Sequence, residues 1–264
     1  MNEIMSTFRL DGRVALVSGA GRGIGARAAL ALAEAGADVA VLSRTQAQID
    51  EVAEQVRGTG RRAIAIAADA SDTEATTAAV ERVVSELGRL DVVVSVTGGS
   101  PPRPFLKSSD KFLTKSFESN ALQGLRLARA AVPHLLSSDA ASMVMISSAI
   151  GHVVGRGYVG YGAGKAALDH AVRQLAAELN PKVRVNAVSP GAVLTESLEE
   201  VAADPKFKAA LEEATPMRRI GTVEDIAAAI LYLASPASSY VTGQILAVDG
   251  GLLTSNFTMP FPDL

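Results

Sequence analysis

"VALVSGAGRGIGARAALALAEAG", Val14–Gly36, is the stretch whose reading decides the fold. It opens with "VALVS", apolar and without alternation, as a strand buried on both faces looks. Four glycines follow at a turn: Gly19, Gly21, Gly23 and Gly25. Beyond them Ile24–Ala35 is rich in alanine and leucine at helical spacing. Glycines between a strand and a helix let the backbone bend tightly and approach a pyrophosphate, with the helix N-terminus facing the negative charge. The spacing is Gly19-x3-Gly23-x-Gly25 rather than G-x-G-x-x-G, so the turn alone is a weak signal. Its place after the first strand makes it a candidate dinucleotide site.

The same rhythm continues outward. Strand-like runs fall at Val14–Ser18, Asp38–Ser43, Ala63–Ala67, Asp91–Ser95, Ser142–Ser147, Val183–Val188 and Gln244–Val248. Helical patterns lie between them, at Ile24–Ala35, Gln46–Arg57, Asp72–Leu87, Lys111–Leu136, Tyr158–Leu179 and Val223–Leu233. Strict alternation of this kind predicts an α/β fold, a parallel sheet covered by helices on both faces. No repeat, low-complexity tract or linker interrupts it, so residues 1–264 read as one domain. Two segments break the rhythm. "GGSPPRPFLKSSD", Gly98–Asp110, is a proline-rich loop after the fourth strand, and Leu194–Gly221 is a charged insertion after the sixth. Both leave the C-terminal ends of strands, where open α/β sheets bind ligands.

Composition narrows the function classes. The chain is 48% hydrophobic and 20% charged, enough for a large core. A net charge of -3 with both signs interspersed gives no basic stripe for nucleic acid. The absence of cysteine excludes disulfides, thiol catalysis and cysteine-held metal, and suits a reducing cytoplasm. The three histidines, His134, His152 and His170, are too scattered for a metal site. The longest apolar run, Ile226–Ala234, is about half a membrane span. The expectation is a soluble, cytoplasmic protein without membrane, nucleic-acid or metal partners.

Cofactor choice is read from the end of the second strand. An acid there binds the ribose 2′-hydroxyl of NAD, whereas an arginine suits a 2′-phosphate. This chain offers Ser43 and Arg44, with Arg22 in the glycine turn as a second cation. Guanidiniums beside a phosphate make strong charge-assisted contacts. NADP(H) is favoured; NAD(H) stays open.

The chemistry sits in "YVGYGAGKAALDH", Tyr158–His170. On a helix Tyr161 and Lys165 are i and i+4, on one face. An ammonium beside a phenol favours the phenolate and lowers a pKa otherwise about 10. That tunes the phenol for proton exchange. Ser148 in "VMISSAIG" stands at the tip of the fifth strand, where a hydroxyl can donate to a carbonyl oxygen gaining charge. Tyr158, seven residues before Lys165, is the competing phenol.

Taken with "AADASD", "VRVNAVSPGAVLTE" and "YVTGQILAVDGG", these motifs resemble the short-chain dehydrogenase/reductases nearly end to end. The resemblance implies a Rossmann-type doubly wound three-layer sandwich with a seven-stranded parallel sheet. It implies Ser148 as carbonyl-polarising donor and Tyr161 as proton donor or acceptor. Lys165 would lower the tyrosine pKa and bind the nicotinamide ribose, and Asn120 would support a proton-relay water. Asp69 matches the residue that meets the adenine, with Ala70 beside it. Gly98 would let the cofactor approach. Pro190, Gly191, Val193 and Thr195 match the segment along the nicotinamide and phosphates, and Ile24 joins them from the glycine turn. One departure is "SVTG", Ser95–Gly98, where the family usually has Asn-Asn-Ala-Gly. It bears on the hydrogen bonding at the centre of the sheet rather than on the chemistry.

The Tyr-x6-Lys spacing of Tyr158 resembles enoyl-thioester reductases, but Ser148, Asn120 and the glycine spacing belong to the carbonyl pattern, so Tyr161 is taken as catalytic. The loop "GGSPPRPF" with "PGAVLTESL", "TPMRRIG" and "VTGQIL" is similar to hydroxysteroid dehydrogenases of the bacterial 7α type. That implies a bulky apolar alcohol or ketone. The 3-oxoacyl-thioester reductases compete; the acidic Glu196, Glu199 and Glu200 weakly disfavour their carrier protein. A catalytically silent NADP-binding sensor is a third reading, against which all four catalytic positions are kept. The family is usually tetrameric, so a homotetramer or homodimer is expected, and the apolar tail, residues 252–264, is expected to dock on a neighbouring subunit.

Overall fold

The structure is a computed structural model that describes residues 3–196, 198–199, 203–256, 259 and 261. Its strands are β1 (Val14–Ser18), β2 (Asp38–Ser43), β3 (Ala63–Ala67), β4 (Val92–Ser95), β5 (Ala141–Ile146), β6 (Val183–Pro190) and β7 (Ile245–Val248). Its helices are α1 (Glu3–Ser6), α2 (Gly23–Glu34), α3 (Gln46–Gly58), α4 (Thr73–Leu87), α5 (Asp110–Phe117), α6 (Gln123–Leu135), α7 (Val159–Leu179), α8 (Pro205–Ala214) and α9 (Val223–Ala234). All seven strands are parallel, in the order β3-β2-β1-β4-β5-β6-β7.

The chain walks out from β1 to β3, returns to pair β4 with β1, and walks the other way to β7. The reversal opens a crevice at the C-terminal ends of β1 and β4, the place such sheets offer a ligand. Apolar residues alternate between two cores. Val17, Val41 and Val94 pack with α2, α3 and α9 on one face. Leu16, Leu42 and Val93 pack with α4, α6 and α7 on the other. Both faces are therefore buried, which is why the strands lack a polar alternation.

The expected boundaries hold within a residue or two, with one difference of substance. The continuous helix expected over Lys111–Leu136 is broken into α5, a π-turn over Glu118–Leu122, and α6. The cause is Asn120: its side-chain Nδ2 donates to the Ser116 carbonyl at 2.7 Å, taking the acceptor that its own backbone N–H would use in a regular helix. Single-turn π-bulges of this kind are frequent at functional sites. Of the tail expected to reach a neighbour, residues 257, 258, 260 and 262–264 lie outside the described residues.

Candidate active site

At the β1–α2 turn Gly19 has φ +76 and Gly23 φ +55, conformations that favour glycine. A Cβ on Gly19 would collide with the Val96 carbonyl oxygen, and one on Gly21 would lie 2.8 Å from Ser43 Oγ. The bare backbone thus leaves a cleft of about 650 Å³ between β1, β2 and β4. Arg22, Ser43 and Arg44 line one end of it; Asp69 and Ala70 line the wall; Gly98 closes the other end. The hydroxyls of Ser18 and Ser43 are buried here without a hydrogen-bond partner. Glycines shaved to backbone and two orphaned hydroxyls make a cradle that fits a dinucleotide. Asp69 is held below the usual carboxylate range by its bonds to the Ser71 N–H and hydroxyl, with Arg44 adding its charge. Arg22 is paired with Glu196 at 3.2 Å. Thr195 stands over Gly23, its Cγ2 3.4 Å from where a Cβ would be.

Through Gly98 the cleft continues into a smaller one of about 250 Å³. Ser148, Tyr161 and Lys165 line it, facing Ile24, Pro190, Gly191, Val193 and Thr195. Apart from Gly23 and Asn120, every sequence-derived site residue therefore borders one of the two adjoining clefts. Asn120 supports them: its Oδ1 accepts the Gly99 N–H at 2.8 Å and lies against Gly98.

Lys165 is 2% exposed, and its Nζ donates to the carbonyls of Ile146 at 2.7 Å and Thr97 at 3.1 Å. Burial brings its pKa down to about 8, with the Asp169 carboxylate pulling the other way. Burial pushes Tyr161 above the ordinary phenol value, and the Ser148 hydroxyl beside it opposes the rise. The ammonium of Lys165 is turned to two backbone carbonyls, and burial is the larger influence on the phenol. Tyr158 sits just before α7, its ring 6.1 Å from that of Tyr161. The unusual Ser95–Gly98 segment is accommodated by main-chain chemistry. Ser95 Oγ lies 3.3 Å from Thr97 Oγ1, and the acceptor for Lys165 is a Thr97 backbone oxygen, which any side chain supplies. Sequence reading missed Thr97 for that reason. It also missed Gln48, which lines the cleft beside Ser43.

A family model described as enoyl-(acyl carrier protein) reductase matches residues 19–253. The chain is a short-chain dehydrogenase/reductase. An uncharacterized oxidoreductase of Mycobacterium tuberculosis (strain CDC 1551 / Oshkosh) is 48% identical to it over 99% of this chain and 100% of the relative. The 7alpha-hydroxysteroid dehydrogenase of Escherichia coli (strain K12) is 35% identical over 92% of this chain and 95% of that one. A 7 alpha-hydroxysteroid dehydrogenase structure, complexed with NADH and 7-oxo glycochenodeoxycholic acid, superposes with a TM-score of 0.89 at 34% identity, covering 94% of this chain and 96% of that chain. Like these relatives, this short-chain dehydrogenase/reductase is an oxidoreductase built on the Rossmann-type doubly wound sheet. Among the described residues no helix is long and apolar enough to cross a membrane.

Proposed function

We propose that this enzyme interconverts a secondary alcohol and a ketone with NADP(H), on a bulky apolar substrate. The observation that carries the reading is the meeting of Ser148, Tyr161 and Lys165 in one small cleft that opens from the glycine-turn cleft. Bound nicotinamide supplies or accepts the hydride. Ser148 donates a hydrogen bond to the carbonyl oxygen as it gains charge. Tyr161, held protonated by burial, delivers the proton in reduction and takes it back in oxidation. Lys165 ties β4, β5 and α7 together beneath the tyrosine, and Asn120 fixes the Gly98–Gly99 turn that closes the cleft. Together these groups supply positioning and electrostatics.

Apolar substrate preference is supported by the loops around the opening. Phe105, Leu106, Val154, Leu194 and Met217 stand exposed on the segments that leave β4, β5 and β6. The 7alpha-hydroxysteroid dehydrogenase relatives point the same way. NADP(H) is favoured by Arg44 and Arg22 at the Ser43 end of the cleft. The chain has no cysteine and suits a reducing cytoplasm. We also read residues 1–264 as one domain.

Tyr161→Phe should abolish turnover of a panel of ketones, cyclohexanone and a 7-oxo bile acid included, while NADPH binding stays nearly intact. Substantial residual activity would assign the proton to Tyr158. Wild-type failure on every ketone, with tight nucleotide binding, would favour a silent sensor. Arg44→Asp should shift preference from NADPH toward NADH by about ten-fold or more in kcat/KM; an unchanged ratio would remove Arg44 as phosphate reader. A second reading, reduction of an acyl thioester, is favoured by Arg103, Lys107, Lys111 and Lys115, all exposed on the segment after β4. Faster turnover of a 3-oxoacyl thioester than of any free ketone would decide for it.

A further inference from the structure

Behind the turn that carries Ser148 lies a buried carboxylate that the proposed reaction does not use. Asp169 is one helical turn after Lys165 on α7 and is 7% exposed. Its Oδ1 has no hydrogen-bond partner. Its Oδ2 lies 3.0 Å from the position a Cβ on Gly151 would take. Ser147, 3% exposed and next to Ser148, turns its hydroxyl toward this carboxylate, and that hydroxyl has no partner within direct hydrogen-bonding distance. Ser189 on β6 is fully buried and also unpartnered. It faces α7, because Ala187 two residues earlier packs in the core on that side and strand side chains alternate. Buried polar oxygens are nearly always satisfied, so three without direct partners where β5, β6 and α7 converge call for an explanation.

The turn itself is seated on the helix by the lack of a side chain. Gly151 belongs to the short helical turn Ala149–Gly151 that follows Ser148, and a Cβ on it would also come within 3.3 Å of the Lys165 backbone carbon and Cβ. Lys165 and Arg173 face the carboxylate as cations from α7, and the His152 ring faces it from the turn. Burial pushes the carboxyl up, and the Ser147 hydroxyl and the two cations oppose it. Any displacement of Asp169 is felt by the turn, and the turn ends at the hydroxyl aimed at the substrate oxygen.

We propose that Asp169 is a positioning residue for Ser148: through Ser147 and the bare backbone of Gly151, its carboxylate clamps the Ser148–Gly151 turn onto the helix that carries Tyr161 and Lys165. The proposal rests on the reading of Ser148 as the donor to the carbonyl oxygen. It accounts for a charged residue at a position where an apolar one would fill the core, and for glycine at the contact.

The test is a set of double-mutant cycles. Ketone reduction by Asp169→Asn and Ser147→Ala is measured with cyclohexanone and a 7-oxo bile acid, each variant alone and in a Ser148→Ala background. Each single change should lower kcat by about ten-fold or more, with KM for the nucleotide unmoved. In the Ser148→Ala background neither should cost anything further. A crystal structure of Asp169→Asn should show the Ser148 hydroxyl displaced from Tyr161. Should Asp169→Asn not fold, Ser147→Ala carries the same cycle. Wild-type kcat with Ser148 in place overturns the proposal. So does a loss of equal size in the Ser148→Ala background, which would place the effect on Lys165. If Ser148→Ala itself leaves turnover intact, the proposed reaction fails instead, and the position of the turn in the Asp169→Asn structure alone decides the clamp.

Discussion

Lys165 concentrates the physics of this site in one side chain. Its pKa is about 8 in the folded chain against an ordinary 10.5, because burial penalises the ammonium. Below about pH 8 both folded and unfolded chains hold the proton, and the burial cost is fully present. Between there and 10.5 the folded chain has released a proton that the unfolded chain keeps, so this residue's contribution to stability rises with pH. Lys165→Met, an apolar side chain of similar length, should therefore be more stable than wild type at pH 7. The upper bound is about 3 kcal/mol, before subtracting the two lost hydrogen bonds to carbonyls. The advantage should shrink toward pH 10; urea unfolding at the two pH values measures it, and a gap that does not change with pH would contradict the buried ammonium. Tyr161 has the opposite charge logic: burial keeps its phenol protonated near neutrality. Alcohol oxidation, which needs that proton removed, should climb with pH. At this scale the spacing of Tyr161 and Lys165 was legible from sequence. The acceptors that hold Lys165 were not, since Thr97 and Ile146 contribute backbone oxygens that carry no residue signature.

Among the elements, α9 shows how a helix end is fixed. Thr222 and Asp225 form a capping box, each side chain satisfying the other's backbone N–H. Arg219 grips the same carboxylate at 2.6 and 2.9 Å, bringing Asp225 down to about 2 from an ordinary 3.8. A depressed carboxyl stabilises fully above its unfolded value and loses that contribution as pH falls toward the folded one. Asp225→Asn should thus lower stability by roughly 1 kcal/mol at pH 7. That corresponds to a fall of about 2–4 °C in Tm. Near pH 2 the difference should vanish; a penalty that persists there would mean the cap works without its charge. Sequence pattern located α9 to within a residue. It read α5, the π-turn and α6 as one helix because apolar periodicity runs through all three. What breaks them is a side-chain hydrogen bond from Asn120 to the Ser116 carbonyl, and periodicity does not register hydrogen bonds.

At the scale of the whole molecule, the face shared by α5, the π-turn and α7 carries an exposed apolar groove. Leu113, Phe117, Leu122, Val159 and Ala163 line a groove of about 590 Å³ there, with Phe117 41% and Val159 52% exposed. Exposed apolar patches of this kind mark association surfaces. If a second copy packs on this groove, Phe117→Glu should give a smaller mass than the wild-type chain by light scattering; an equal mass would mean that this face holds no second copy. The groove lies on the same elements that carry Asn120 and Tyr161.

By itself the sequence determined the alternation of strands and helices, the glycine turn and the phenol–lysine pair, because each is a local matter of spacing, backbone freedom and apolar periodicity. Only the tertiary structure decided which way charges and hydroxyls point: Lys165 toward two carbonyls, Arg22 toward Glu196, and Ser147 toward Asp169. Burial and partner choice depend on residues far apart in the chain, and they are what set the protonation of Tyr161 and Lys165.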